Sequence, residues 1–152
     1  MKWNVVTDSS CDLLPSSCQS DVIELSSVPF VITVGDQHFV DDEDLDLQKM
    51  LHDMEQEKEA SHTACPAPGT WLQHFEKASH TFAITISSQV SGSMNSALTA
   101  MDMELEEHPE KKIAVLDSKS TGPELVLCVH ELERLAREGV DFDEAVARAN
   151  TF

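Results

Sequence analysis

The chain has 152 residues, of which 41% are hydrophobic and 25% are charged, and this composition predicts one folded domain rather than a disordered chain. Its formal net charge of −18 leaves no basic face for nucleic acid and disfavours anionic membranes. No apolar run approaches the roughly 18 residues of a membrane span, so we expect no membrane insertion. The four cysteines lack CxxC spacing and predict free thiols in a reducing cytoplasm.

The first half of the chain alternates short strands with helices. Apolar runs that end at turn-forming residues predict strands over residues 3–7, 22–25, 29–34 and 38–40. A turn at 8–12 leads into a short predicted helix that carries Leu13 and Leu14, with Pro15 in its first turn. The acidic run 41–44 precedes an amphipathic helix from Leu45 to Met54, with negative charge at the end that the helix dipole favours.

The second half continues the alternation. Residues 61–69 predict a polar loop, and a helix with Trp71 and Phe75 on its buried side follows. Two further strands and three further helices are predicted, the strands over 82–86 and 112–116 and the helices over 94–105, 123–137 and from Asp141 onwards. Strands that alternate with helices predict an α/β fold of three layers, a mostly parallel sheet flanked by helices.

Three polar turns follow predicted strands, over 7–10, 87–93 and 117–121, and the loop 61–68 leads into a helix. In parallel α/β sheets, ligands bind beyond the carboxyl ends of the strands. The turn 87–93 places several hydroxyls around the first amides of a helix, which have no intrahelical partner. It therefore predicts an anion site. Serines in such turns also serve as simple helix caps, so the residues alone do not identify a ligand.

Other chemistry is not indicated. The sequence contains no GxSxG elbow, Walker A loop, GxGxxG or HExxH motif, and its seven histidines lack metal-ligand spacing. We therefore expect no metal and no cofactor. His62 lies in a candidate site loop, where a surface histidine is the ordinary interpretation. Cys65 beside Pro66 is expected to be a packing thiol, because no feature supplies it with a base.

Five short segments occur in an order typical of one family. They are VVTDSSCDL at 5–13, VPF at 28–30 with FVDD at 39–42, HTACPAP at 62–68, ISSQVSGS at 86–93 and VLDS at 115–118. They resemble the TDS-x-x-DL, VPL with F-x-DG, TSQPS, ISS-x-LSGT and VIDS motifs of the DegV family of bacterial fatty-acid-binding proteins. The chain departs from this pattern at Ala64 and Cys65, where the family has Ser and Gln, and at Ser93, where it has Thr.

The resemblance implies an N-terminal α/β domain over residues 1–152, with the family's second domain absent from this chain. It implies a protein that is not itself an enzyme and that holds a long-chain fatty acid by its carboxylate. The matching positions are Thr63 and the turn of Ser91, Gly92 and Ser93, with Ser88 nearby. Further residues of these loops are candidates for a secondary role at the same site: Asp8, Ser9, His62, Asp117 and Ser118.

Some members of the family present the bound acid to a fatty acid kinase, so the resemblance implies such a partner. We also expect self-association through the face that the second domain would cover. Two alternatives remain open. The serine-rich turns could hold a phosphorylated small molecule for an enzyme that uses Asp8 or Asp117 as acid–base, or the domain could bind a protein partner.

Overall fold

The computed structural model describes all of residues 1–152. Seven strands are present: β1 (Trp3–Asp8), β2 (Ile23–Val28), β3 (Val31–Val34), β4 (Gln37–Val40), β5 (His62–Ala64), β6 (His80–Thr85) and β7 (Lys112–Asp117). Five α-helices accompany them: α1 (Leu47–Gln56), α2 (Pro68–Phe75), α3 (Ser93–Glu107), α4 (Pro123–Arg137) and α5 (Phe142–Thr151).

The main sheet has four parallel strands in the order β2-β1-β6-β7. Helices cover both of its faces, which confirms the predicted three-layer α/β fold. Val5 of β1 belongs to the apolar cluster formed with α4 and α5, whereas the next residue, Val6, belongs to the cluster formed with α2 and α3. Because both faces of the sheet are buried, its strands have the continuous apolar runs that the sequence shows.

The carboxyl ends of three of these strands meet at one edge of the sheet. Strand β6 lies between β1 and β7, and Thr85 at its end is paired in register with Asp117 of β7. Asp8 ends β1 on the other side of β6. The turn after β6 is therefore flanked by the turns after β1 and β7, as the sequence predicts for a ligand site in this class of sheet.

A second, antiparallel sheet has the order β4-β3-β5. The predicted strands β3 and β4 are present, but they form this separate sheet instead of joining the parallel one. The prediction of a loop over 61–69 is wrong at residues 62–64, which form β5 with Thr63 opposite Ile32 of β3. Those three exposed residues have no apolar alternation, and only their pairing with β3 makes them a strand.

Two predicted helix starts are also wrong. Leu13 and Leu14 precede a single 3₁₀ turn at Pro15–Ser17 and are not part of a helix. Pro15 disfavours helical torsions at the residue before it, and Leu14 is extended at φ −78° and ψ 140°. Helix α1 begins at Leu47 and not at the predicted Leu45, because Asp46 is its N-cap. The carboxylate of Asp46 accepts a hydrogen bond from the Lys49 amide at 3.0 Å.

None of the five helices is both long enough and apolar enough to cross a lipid bilayer. No group of three or more His, Cys, Asp or Glu side chains is placed to hold a metal ion. All four cysteines are free thiols.

Candidate ligand-binding groove

A groove of about 470 Å³ separates the end of β5 and the residue after it from the turn after β6. Thr63 and Cys65 line one side, and Ser91 and Gly92 line the other. The structure thus brings together two segments that the sequence offered as parts of one site, the loop 61–68 and the turn 87–93. The rest of the lining is largely apolar: Phe30, Ala64, Ile86 and Val90.

Several hydrogen-bond donors at this groove have no partner within the protein. The hydroxyl of Ser91 accepts a hydrogen bond from the Ser93 amide at 3.1 Å, which leaves the Ser91 proton free to be donated. The Thr63 hydroxyl is exposed and makes no hydrogen bond within the chain. The backbone N–H groups of Ser91 and Gly92 also have no acceptor in the protein. Such a group of neutral donors suits an anionic oxygen.

The groove contains no charged side chain, and in its apolar part Ala64 and Val90 are exposed while Phe30 and Ile86 are half-buried. Val90 is 67% exposed, although it is a large aliphatic residue. A ligand with a small polar head and an apolar body matches this lining, since the head can accept from the hydroxyls and amides while the body covers Phe30, Ile86 and Val90.

Ser93 lies beneath the turn and does not line the groove. It is fully buried, and its hydroxyl donates to Oδ2 of Asp8 at 2.9 Å. The same oxygen accepts from the Ile86 amide at 2.8 Å, while Oδ1 accepts from the amide and hydroxyl of Ser10. The buried Asp8 carboxylate is therefore satisfied by four donors, and Ser93 directs its proton inward.

Ser88 is tied to the neighbouring strand end. Its hydroxyl donates to Oδ2 of Asp117 at 2.6 Å and its amide donates to Oδ1 at 3.3 Å, while the Lys119 amide donates to Oδ1 at 2.9 Å. Partial burial acts to raise the pKa of Asp117, but these hydrogen bonds and the Lys119 charge outweigh it, so the pKa lies below its ordinary value. Asp117 is consequently an ionised acceptor at neutral pH.

The three remaining candidates do not line the groove. Ser9 accepts from the Phe30 amide at 2.9 Å and borders a different cavity of about 330 Å³, next to the acidic segment 41–44. His62 is exposed on β5, opposite Thr33. Ser118 closes its own loop, because its hydroxyl donates to the Ser120 carbonyl at 3.1 Å and accepts from the Ser120 amide at 3.2 Å.

Cys65 is a groove residue that sequence reasoning assigned to packing. Its Sγ lies 3.6 Å from the position that a Cβ atom on Gly92 would occupy, so the two sides of the groove meet there. A usable signal was present in the sequence, since Cys65 lies two residues after Thr63 at a position where the resembled motif carries a polar Gln. The sequence indicated Phe30 only as part of the VPF segment, with no role in a site.

Comparison with known proteins gives one consistent result. Residues 2–152 match the family model described as "Uncharacterised protein, DegV family". A DegV domain-containing protein of Streptococcus pneumoniae is 42% identical over 146 residues, which are 96% of this chain and 52% of that protein. One from Streptococcus pyogenes serotype M1 is 39% identical over 152 residues, which are 100% of this chain and 54% of that protein.

Solved structures agree. The Streptococcus pneumoniae Fatty Acid Kinase (Fak) B3 protein loaded with linoleic acid superposes with a TM-score of 0.94 at 41% identity, over 100% of this chain and 54% of that one. A DegV family protein from Eubacterium eligens loaded with heptadecanoic acid has a TM-score of 0.91 at 35% identity, over 99% and 53%. The chain spans about half the length of the curated relatives it matches.

Proposed function

The chain belongs to the DegV family, and from this premise we propose that it binds a long-chain fatty acid by its carboxylate between Thr63 and the Ser91–Gly92 turn. Two similar proteins of known structure carry linoleic and heptadecanoic acid. The observation that carries the proposal is the groove itself, where free hydroxyl and amide donors from β5 and from the turn after β6 meet beside a partly exposed apolar lining.

The head and the tail of such a ligand contribute differently to its binding free energy. A carboxylate that leaves water must receive several hydrogen bonds, or it becomes protonated instead. The tail contributes about 0.8 kcal/mol for each CH₂ group that it buries. The tail therefore supplies most of the affinity, while Thr63, Ser91 and Gly92 fix the position of the head.

The enzyme alternative receives no support from the two aspartates on which it depends. Asp8 is fully buried and already accepts four hydrogen bonds. Asp117 is held by Ser88 and Lys119, and its lowered pKa makes it a weak base. Neither carboxylate is free to exchange a proton with a substrate in the groove, so we propose a binding protein rather than a catalyst.

The partners follow from the same proposal. The similar Streptococcus pneumoniae protein carries the name Fatty Acid Kinase (Fak) B3, and we propose that this chain likewise presents its fatty acid to a fatty acid kinase. The cytoplasmic location, the absence of nucleic-acid binding and self-association through an exposed apolar face stay predictions.

Extraction of the purified protein with organic solvent, followed by mass spectrometry, tests the proposal. We expect a long-chain fatty acid in the wild-type extract and a clearly reduced load in a Thr63→Val/Ser91→Ala double variant. The control is Thr99→Val/Ser96→Ala, which makes the same chemical changes on α3 outside the groove. A wild-type protein that stays empty after incubation with fatty acid, or that yields a phosphorylated small molecule, contradicts the proposal.

A further inference from the structure

Strand β6 is flanked by two strands that each end at an aspartate followed by a serine. Asp8-Ser9 ends β1 on one side, and Asp117-Ser118 ends β7 on the other. Both aspartates turn toward the loop after β6 instead of toward solvent, since each accepts hydrogen bonds from it. The serine turn is therefore held from both sides.

Asp117 holds the start of this turn. It accepts both the amide and the hydroxyl of Ser88, at 3.3 and 2.6 Å. The backbone reinforces the contact, because the Ser87 amide donates to the Ser120 carbonyl at 2.9 Å and the Ser118 amide donates to the Thr85 carbonyl at 3.1 Å. The turns after β6 and β7 are thus joined along their first residues.

Asp8 is hydrogen-bonded to both ends of the turn. Its buried carboxylate accepts from Ile86, where the turn begins, and from Ser93, where α3 begins. Between Ser88 and Ser93 only four residues remain; Val90, Ser91 and Gly92 line the groove, and Ser91 and Gly92 carry its free donors. Their placement depends on both anchors, because a turn of this length has little conformational freedom once its ends are fixed.

We propose that Asp117 is a positioning residue for ligand binding, acting through Ser88 to hold Ser91 and Gly92 in the conformation that receives the head of the ligand. This inference rests on the proposed function. An ionised carboxylate suits the role because it is an acceptor only and can bind amide and hydroxyl protons together. An asparagine keeps one acceptor oxygen but removes the negative charge, so the hydrogen bonds from Ser88 lose their charge assistance.

The test is a double-mutant cycle on fatty-acid affinity, with Asp117→Asn, Ser88→Ala and the double variant, each titrated with oleic acid. We expect each single variant to bind about three- to tenfold more weakly, with no further loss in the double variant. Ser88→Thr keeps the hydroxyl and should recover most of the affinity. Asp141→Asn is the matched control, because Asp141 caps helix α5 outside the groove and accepts a similar amide hydrogen bond from Glu144 at 3.0 Å.

Urea unfolding of the same variants separates positioning from folding, since a merely structural role would lower stability without coupling Ser88 and Asp117 in affinity. Wild-type affinity in Asp117→Asn overturns the inference, as do fully additive losses or a Ser88→Thr variant that fails to recover. If the wild-type chain binds no fatty acid, the proposed function is overturned, and this inference with it. That result is obtained before any variant is compared, so the two failures can be told apart.

Discussion

The hydroxyl of Ser93 donates a hydrogen bond of 2.9 Å to the buried carboxylate of Asp8, across 85 positions of sequence. This contact distinguishes Ser93 from Ser91, which lies two residues earlier. Ser93 is directed into the protein, whereas Ser91 lines the groove and keeps its proton free. The same short motif therefore contains one residue that supports the fold and one that is available to a ligand.

Ser93→Ala should mainly reduce stability. The substitution leaves the buried Asp8 carboxylate with one donor fewer, which costs about 1–3 kcal/mol of unfolding free energy. Urea titration followed by circular dichroism measures this loss. Ser96→Ala on the same helix serves as the control, since its hydroxyl makes no side-chain hydrogen bond. An unchanged urea midpoint in Ser93→Ala would show that the contact with Asp8 contributes nothing to folding.

Thr63→Val should show the opposite pattern. Thr63 is exposed, so removal of its hydroxyl should change stability by about 0.5 kcal/mol or less. Fatty-acid affinity should fall about five- to tenfold, because the head loses one hydrogen bond to a charged oxygen. Isothermal titration with oleic acid measures the affinity, and urea unfolding measures the stability, of wild type, Thr63→Val and the exposed control Thr99→Val. Equal affinities in all three would remove Thr63 from the site.

Bound fatty acid should protect Cys65 from alkylation. Its thiol lines the groove beside Gly92, so a ligand that occupies the groove covers it. Burial raises the pKa values of the other three thiols, Cys11, Cys18 and Cys128, and so reduces their reactive thiolate fraction. Labelling with N-ethylmaleimide followed by peptide mass spectrometry should show slower modification of Cys65 at saturating oleic acid. An unchanged labelling rate would place the ligand elsewhere.

Stability should depend on His74 at mildly acidic pH. Burial and the nearby Lys77 charge lower the pKa of His74 below its ordinary value, and its Nδ1 lies 3.1 Å from the Ser26 hydroxyl. The unfolded chain therefore binds a proton at a higher pH than the folded protein does. The free energy of unfolding consequently decreases as the pH falls from about 6.5 through the folded-state pKa of His74. Urea midpoints at pH 7.5 and 5.5 should converge in His74→Gln. The exposed His52→Gln should keep the wild-type difference, and equal pH dependence in both variants would contradict the assignment.

Much of the fold could be predicted because burial on both sides of a sheet leaves a direct trace in sequence. Strands β1 and β6 have mostly buried residues in largely apolar runs, and each is followed by a polar turn and a helical segment. Strand β5 leaves no such trace, since His62 and Thr63 are polar and exposed. It exists because β3 offers a free edge, which is a property of the assembled sheet.

The sequence predicts which types of residue form the candidate site, but it does not predict the directions in which their side chains point. A serine-rich turn before a helix indicates a group of donors, and the structure places Thr63, Ser91 and Gly92 from the two segments on one groove. Which hydroxyl faces the groove depends on acceptors from distant strands, Asp8 for Ser93 and Asp117 for Ser88. Local sequence carries no information about such long-range hydrogen bonds, whose partners become adjacent only through the strand order.

The central claim is that the head of a fatty acid binds between Thr63 and the Ser91–Gly92 turn. Titration of ¹⁵N-labelled protein with oleic acid, followed by amide chemical shifts, tests this claim most directly. We expect the largest shifts at the amides of Thr63, Ser91 and Gly92, since two of them have no acceptor in the free protein. Shifts concentrated instead at the separate cavity beside Ser9 and the acidic segment 41–44, with the groove unchanged, would contradict the account.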